Sequence, residues 1–369
     1  MIPLVDLSIQ HAEVADEVNA GFAEVLAAGD FIGGKAVGLF EQEYAEFASV
    51  RHCVGVANGT DALELAMRAL GIGRDHEVIV PANTFIATAE AVARAGARPV
   101  FVDVDDEALL LDPAKLEAAI TPRTRAVVPV DLYGQIAPFE QLAWLADRGI
   151  AVVEDGAQSQ GASRLGMNAG SFGSIAATSF YPGKNLGAYG DGGAVLTDDD
   201  ALAERVRLLG AHGSPAKYQH TVLGFNSRLD TLQAVVLRAK LRRLRGWNAR
   251  RQAAAALYDR LLEGLPQVRR PVTLPGNEHV WHLYVVRVDD RDTVLRKLQA
   301  DGVGAGIHYP VPVHLTPAMS DLGNGPGSFP VSERAAAEIL SLPIYPGITP
   351  QQQERVVEAL AGHVRASDG

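Results

Sequence analysis

Between about residues 50 and 200 the chain alternates short β-branched apolar runs with helical stretches, a rhythm that restricts its fold more than any other feature. The runs are Val54–Ala57, Val78–Val80, Pro99–Val102, Ala126–Val130, Ile150–Val153, Ala176–Phe180 and Gly193–Leu196. Between most of them lie Asp61–Leu70, Thr88–Ala95, Pro113–Ile120 and Phe139–Asp147, whose patterns suit helices. Near-continuous apolar strands must be covered on both faces. The alternation therefore predicts an α/β fold, a mostly parallel sheet sandwiched by helices. Ligands of such sheets bind beyond the carboxyl ends of the strands, so chemistry is expected there.

A long helix is predicted from Ser227 to about Leu262, with Leu229, Leu232, Val236, Leu237, Leu241 and Leu244 as its apolar face. Ser227 and Asp230 resemble a capping box with a shortened acid. This helix is expected to join a large domain, residues 1–245, to a smaller C-terminal α+β domain, residues 246–369. The second domain includes a strand from His282 to Arg287 and a surface loop around Gly323–Pro330.

Composition narrows the class. The net charge of −11 argues against non-specific nucleic-acid binding, which needs a basic face. The sequence has no apolar run of the ~18 residues expected of a membrane span. The start Met1–Asp6 lacks the basic and apolar regions of a signal peptide, and a single cysteine, Cys53, fits a reducing compartment. A cytoplasmic enzyme or binding protein is expected.

Three places carry chemistry. Asn58–Asp61 follows a strand and opens a helix, whose free N–H groups and partial positive charge can hold a phosphate. Gly59 would let the backbone approach closely, and the Thr60 hydroxyl would add a donor; an ordinary capped helix start looks the same. Glu154–Asp155 ends a buried strand, where a carboxylate needs a partner or a solvated rim. Lys184 lies in the Gly/Pro-rich turn after Ala176–Phe180 and is the kind of residue that is usually a surface charge. All three fall at one end of the predicted sheet.

The order and spacing of further motifs give a resemblance to the DegT/StrS-type sugar aminotransferases, of the fold-type I superfamily dependent on pyridoxal 5′-phosphate (PLP). The matching stretches are GDFIGG at Gly29–Gly34, VANGTDAL at Val56–Leu63, VPANTFIAT at Val80–Thr88 and LYGQ at Leu132–Gln135. VEDGAQ at Val153–Gln158, SFYPGKN at Ser179–Asn185 and GDGG at Gly190–Gly193 continue the series. GFNSRLD at Gly224–Asp230 and IHYP at Ile307–Pro310 complete it. The resemblance implies a seven-stranded sheet and names roles. Lys184 would hold PLP as a Schiff base, and Asp155 would pair with its pyridine nitrogen. Gly59, Thr60, Asp61 and Ser179 would serve the phosphate, Phe85 would stack on the ring, and Gln158 would lie near its phenolic oxygen. Asn226 would reach the phosphate of a neighbouring subunit's PLP, making the active unit a homodimer with shared sites. Tyr181, Lys217, His308, Tyr309 and His314 would face the sugar nucleotide.

The implied reaction moves an amino group from an amino acid, L-glutamate by resemblance, to the keto group of a nucleotide-linked deoxysugar, with pyridoxamine phosphate between the two halves. The stretch Lys217–His220 resembles enzymes acting at C-3 of dTDP-sugars, with C-4 the alternative. Sugar dehydratases of the same fold carry histidine at the lysine position, so Lys184 argues against them. No G-x-G-x-x-G follows a first strand, against a dinucleotide enzyme, and Gly302–Gly306 lies in the wrong context. No H-E-x-x-H or clustered Cys/His spacing suggests zinc, and no separate basic helix-turn-helix module suggests a regulator. Gly156, Asn168 and Ala211–Gly213 depart from the family's usual residues without removing a group the chemistry needs.

Overall fold

The structure, a computed structural model, describes residues 1–364. Its centre is a seven-stranded sheet: β1 (His52–Val56), β2 (Glu77–Pro81), β3 (Arg98–Val102), β4 (Thr124–Val127), β5 (Ala151–Asp155), β6 (Ile175–Ser179) and β7 (Gly193–Thr197). All seven expected runs are present, in the order β1-β7-β6-β5-β4-β2-β3. β2 pairs in parallel with β3 and β4, and β4–β5 and β5–β6 are also parallel. β7 runs antiparallel to both β6 and β1. Six strands therefore point one way, and the carboxyl ends of β1, β5 and β6 emerge at one edge.

Helices cover both faces. α1 (Ser8–Ala28), α2 (Lys35–Ala48), α3 (Gly59–Ala69), α4 (Ile86–Arg94), α5 (Asp200–Gly210) and α6 (Thr231–Leu262) belong to this half of the chain. One core lies between the sheet and α3, α4 and α5 and contains Val54, Leu65, Val80, Val92 and Val206. The opposite face packs Phe40, Tyr44, Phe180, Leu186 and Leu237. Two expected helices take tighter forms. Residues 113–119 split into a 3₁₀ turn and a single α-turn, and Phe139–Arg148 is 3₁₀ throughout. Phe139, Leu142 and Leu145 are its buried positions, and that three-residue spacing matches 3.0 residues per turn.

The predicted capping box does not form. α6 begins at Thr231, and the Asp230 side chain makes no cap hydrogen bond. Ser227 is buried and drawn to the end of β1, where its Oγ accepts from the Ala57 N–H at 3.2 Å. α6 then runs through residues 245 and 246 without a break.

Beyond it, β8 (Tyr284–Arg287) and β9 (Ile339–Leu342) pair antiparallel, with α7 (Arg291–Ala300), α8 (Pro330–Glu338) and α9 (Pro350–Ala361) nearby. Their core contains Tyr258, Tyr284, Leu298, Leu340, Val356 and Leu360, joined by Ile2 from the start of the chain. Among the described residues no helix is long and apolar enough to cross a membrane.

Candidate active site

The sheet edge assembles the site from the ends of β1, β5 and β6. At β1, Asn58 caps α3: its Oδ1 accepts from the Asp61 N–H at 2.8 Å. The Gly59 and Thr60 N–H groups, at the first turn, have no partner among the described residues and lie at the positive end of the helix. Gly59 faces Ser179 at the end of β6. A Cβ placed on residue 59 would sit 2.6 Å from the Ser179 Cβ and 3.0 Å from its Oγ. Glycine is what lets the helix start come this close to Ser179, bringing free backbone donors and a hydroxyl together, the polarity a phosphate needs. Asp61 is half-buried and its carboxylate pairs with Arg94 at 3.2 Å.

Asp155 ends β5, 4% exposed. Its Oδ2 accepts from the Thr88 hydroxyl at 2.8 Å and its Oδ1 from the Ala157 N–H at 3.2 Å. Burial raises the pKa of its carboxyl; the two hydrogen bonds and the Lys184 charge oppose that. Behind it lies a second acid, Glu154, fully buried and accepting from the Gly170 (2.6 Å) and Phe172 (2.9 Å) N–H groups. Burial pushes its pKa up to about 7. Asp131, hydrogen-bonded to Glu154, is likewise pushed well up by burial and by its neighbour's charge. Burial thus holds both carboxyls above the usual carboxylate range, while for Asp155 the Thr88 and Ala157 donors and the Lys184 charge work in favour of the anion.

Lys184 lies in the turn after β6, its N–H bonded to the Tyr181 carbonyl at 2.9 Å. The turn is fixed by the Lys240 ammonium on the Gly187 carbonyl (2.6 Å) and by Asn185, whose Nδ2 donates to Asn248 and to the Val280 carbonyl, each at 2.9 Å. Burial lowers the Lys184 pKa to about 8, against the pull of Asp155. The two charges sense each other without an ion pair, since Lys184 has no carboxylate within 4.0 Å among the described residues.

Aromatic and amide groups line the space between them. Phe85, at the cap of α4, lies 5.2 Å from the Tyr309 ring. Gln158 is buried, accepting from the Tyr133 N–H at 2.7 Å and donating to the Tyr309 hydroxyl at 3.3 Å. Burial and the Asp155 charge push the Tyr309 hydroxyl up to about 12. His308 bonds to Ser341 at 2.8 Å, and burial, with the Lys184 charge, lowers it to about 4. Tyr133 adopts φ +64°, a conformation a bulky residue keeps only when its surroundings enforce it. Its N–H on Gln158, its hydroxyl on the His308 carbonyl (2.7 Å) and its carbonyl on the Leu283 N–H (3.1 Å) do so.

The structure therefore gathers Lys184, Asp155, Gly59, Thr60, Ser179, Phe85, Gln158, His308 and Tyr309. It does not gather all the named residues. Tyr181 is exposed near the turn, and Lys217 is exposed with its ammonium 5.2 Å from the Tyr218 ring. Asn226 is exposed and hydrogen-bonded to Arg228 (2.7 Å) rather than to the Lys184 cluster. His314 is buried against Phe329, 4.7 Å between rings, with its Nε2 on Glu333 at 3.1 Å. Thr88 and Tyr133, which hold Asp155 and Gln158, did not stand out in the sequence. Thr88 lies within a predicted helix and Tyr133 beside a glycine, and neither pattern announces a hydrogen bond to a site residue.

Residues 12–361 match the model of the DegT/DnrJ/EryC1/StrS aminotransferase family. The chain belongs to this family. It is 50% identical to the erythromycin biosynthesis sensory transduction protein EryC1 of Saccharopolyspora erythraea, over 97% of this chain and 98% of that one. It is 48% identical to the dTDP-3-amino-3,4,6-trideoxy-alpha-D-glucose transaminase of Streptomyces venezuelae, over 97% and 95%. The crystal structure of S. venezuelae DesV in complex with a ketimine intermediate superposes with a TM-score of 0.97, at 48% identity, covering 100% of this chain and 99% of that one. The family is PLP-dependent. The residues here fit that cofactor: free backbone donors beside the Ser179 hydroxyl, a buried carboxylate with no cation in contact among the described residues, and a lysine of depressed basicity that senses its charge.

Proposed function

We propose that the chain transfers an amino group from an amino acid, L-glutamate in the first instance, to C-3 of a dTDP-linked keto-deoxysugar, using Lys184 and Asp155. The observation that carries the site assignment is the convergence of Lys184, Asp155 and the Gly59–Ser179 cradle at one sheet edge. The C-3 position rests on the transaminase relative named for a 3-amino sugar.

Bound here, PLP supplies an electron sink for the charge left when a proton leaves the amino donor's α-carbon. The chain supplies the rest. The free N–H groups of Gly59 and Thr60, with the Ser179 hydroxyl, would hold the phosphate. The Asp155 carboxylate, steadied by Thr88, would pair with the ring nitrogen and keep it protonated. Phe85 and Tyr309 would border the ring, and Gln158, held by Tyr133, would serve its oxygen. The Lys184 Nζ, freed from the cofactor, would be the group placed to take the donor's α-proton and hold it as an ammonium for the reprotonation that follows. A pKa near 8 suits both steps, since the amine is a competent base at neutral pH and its ammonium a ready acid. His308 and Tyr309 would present polar groups to the sugar, with Tyr181 exposed beside the turn that carries Lys184.

The active unit in this reading is a homodimer in which Asn226 and the Lys217 loop meet the partner's site. Exposed apolar groups on those segments support it, with Leu223 97% and Tyr218 83% exposed. Sedimentation velocity is expected to give twice the chain mass at micromolar concentration; a monomer that turns over would refute the shared site.

The functional reading is tested by giving the PLP-loaded protein glutamate and a panel of 3-keto and 4-keto sugars on dTDP and UDP. The expected product is a 3-amino dTDP-sugar with 2-oxoglutarate. Turnover confined to 4-keto sugars would overturn the C-3 assignment. Cofactor binding without turnover of any sugar would favour a sensing role, the one named for the S. erythraea relative.

A further inference from the structure

Tyr133 bonds to both halves of the chain at the edge of the site. Its ring is buried in a core built from Val104, Leu110 and Leu132, before α6, and from Leu283, Val285 and Ile339, after it. The backbone makes the same connection. The Tyr133 carbonyl accepts from the Leu283 N–H at 3.1 Å, and the Gly134 carbonyl accepts from the Val280 N–H at 2.9 Å. Gly134 is what allows the approach: at φ +111°, a Cβ there would lie 2.7 Å from the His282 nitrogen. The segment Val280–Leu283 is thereby clamped to the turn that follows β4.

The remaining hydrogen bonds of Tyr133 converge on one hydroxyl. Its N–H donates to Gln158 Oε1 at 2.7 Å. A backbone N–H can only donate, so the oxygen of the Gln158 amide must face it and the amide nitrogen must face away. That nitrogen lies 3.3 Å from the Tyr309 hydroxyl. An amide nitrogen donates and does not accept, so the Tyr309 oxygen is the acceptor. At its other end, the Tyr133 hydroxyl donates to the His308 carbonyl at 2.7 Å, in the peptide that leads into Tyr309. Tyr133, Gln158 and the His308–Tyr309 segment thus close a ring of three hydrogen bonds. Gln158 is the one partner of the Tyr309 hydroxyl among the described residues, which leaves its own proton for a partner outside this ring. Burial and the Asp155 charge keep that proton in place, with the pKa pushed up to about 12.

We propose that Tyr133 is a positioning residue for Tyr309, fixing its hydroxyl as a hydrogen-bond donor to an oxygen on the sugar of a bound sugar nucleotide. This rests on the reading that His308 and Tyr309 face the sugar. Gln158 sets the direction of the donor, and the Tyr133 hydroxyl holds the segment that carries it. A hydroxyl or carbonyl oxygen on the sugar satisfies such a donor, whereas a deoxygenated carbon at that place leaves its proton unpaired, which selects against that sugar. Without the Tyr133 hydroxyl, the His308 carbonyl loses its partner and the Tyr309 ring is free to shift against Gln158.

The test is titration calorimetry of the PLP-loaded protein with a dTDP-linked hexose that has no keto group, so that it binds without reacting. Tyr133→Phe removes one hydroxyl and keeps both the ring and the backbone N–H. It should weaken binding about three- to tenfold, the range for one hydrogen bond between neutral groups. Tyr309→Phe should weaken it by a similar factor. Because one residue acts through the other, adding Tyr133→Phe to Tyr309→Phe should cost less than twofold more. Losses that multiply in the double variant, or an equal loss in the binding of dTDP alone, would show packing at work and overturn the proposal. If Tyr133→Phe does not fold, Tyr309→Phe still decides, since the hexose bound there with wild-type strength would also overturn it. A wild-type protein that binds dTDP as tightly as the dTDP-hexose would instead refute the placing of the sugar beside His308 and Tyr309, and the proposal with it.

Discussion

Lys184→Ala is expected to lower transamination by about 10⁴-fold or more, the scale seen when a covalent catalyst and its proton carrier are lost together. The substitution removes the nucleophile that fixes the cofactor and the base that moves the α-proton. The phosphate cradle does not depend on the lysine, because Gly59 and Ser179 are set by β1, β6 and the Asn58 cap. The variant should therefore still bind PLP, more weakly, without the visible band that borohydride removes. A second outcome follows from charge. In the wild-type protein the Lys184 charge lowers the Asp155 pKa against burial, so removing it lets that pKa rise further. Any cofactor bound to the variant should hold its ring proton less firmly as pH falls. The wild-type lysine, with its pKa near 8, should capture cofactor faster as pH rises through about 8. Absorbance, borohydride reduction and peptide mapping check this together; a variant retaining a tenth of wild-type turnover would refute the role of Lys184.

The sequence made the sheet and three of its anchors readable because each depends on local signals. Strands apolar on both faces have few other places to go, and a glycine after a strand and before a helix marks a cap. The acid at the end of β5 and the lysine in the turn after β6 were placed at one sheet end by strand direction, and their roles by the resemblance. What stayed hidden depends on contacts far apart in the chain. Thr88 reaches Asp155 across 67 positions and Tyr133 reaches His308 across 175. His282 read as the start of a strand, yet β8 begins at Tyr284 and His282 belongs to the clamped segment before it. The capping box at Ser227 failed for a related reason. A serine before a helix can cap it, but here β1 offered Ser227 a buried partner, the Ala57 N–H. His314 illustrates the opposite hazard: its neighbours in sequence suggest a substrate face, while Phe329 and Glu333, distant in sequence, enclose it.

Asp155→Asn should be the second most damaging change, and it separates charge from shape. Asparagine fits the same space and can still accept from the Thr88 hydroxyl, so the end of β5 and the fold should persist; equal thermal stability within a few degrees is expected. What disappears is the anion opposite the ring nitrogen. A carboxylate there holds that nitrogen protonated and lets the ring accept charge, and an amide does not. A loss of about 10²–10⁴-fold in turnover, roughly 3–5 kcal/mol of transition-state stabilisation, follows. The lysine reports the same loss independently. Asp155 raises the Lys184 pKa against burial, so without its charge the amine should titrate below 8 in the cofactor-free protein. The pH at which cofactor capture is half-maximal should move down, not up. Glu154 does not replace the missing charge: its carboxyl is committed to Asp131 and to the Gly170 and Phe172 N–H groups. Turnover within threefold of wild type in Asp155→Asn, or a capture midpoint moved to higher pH, would show that the site's anion lies elsewhere.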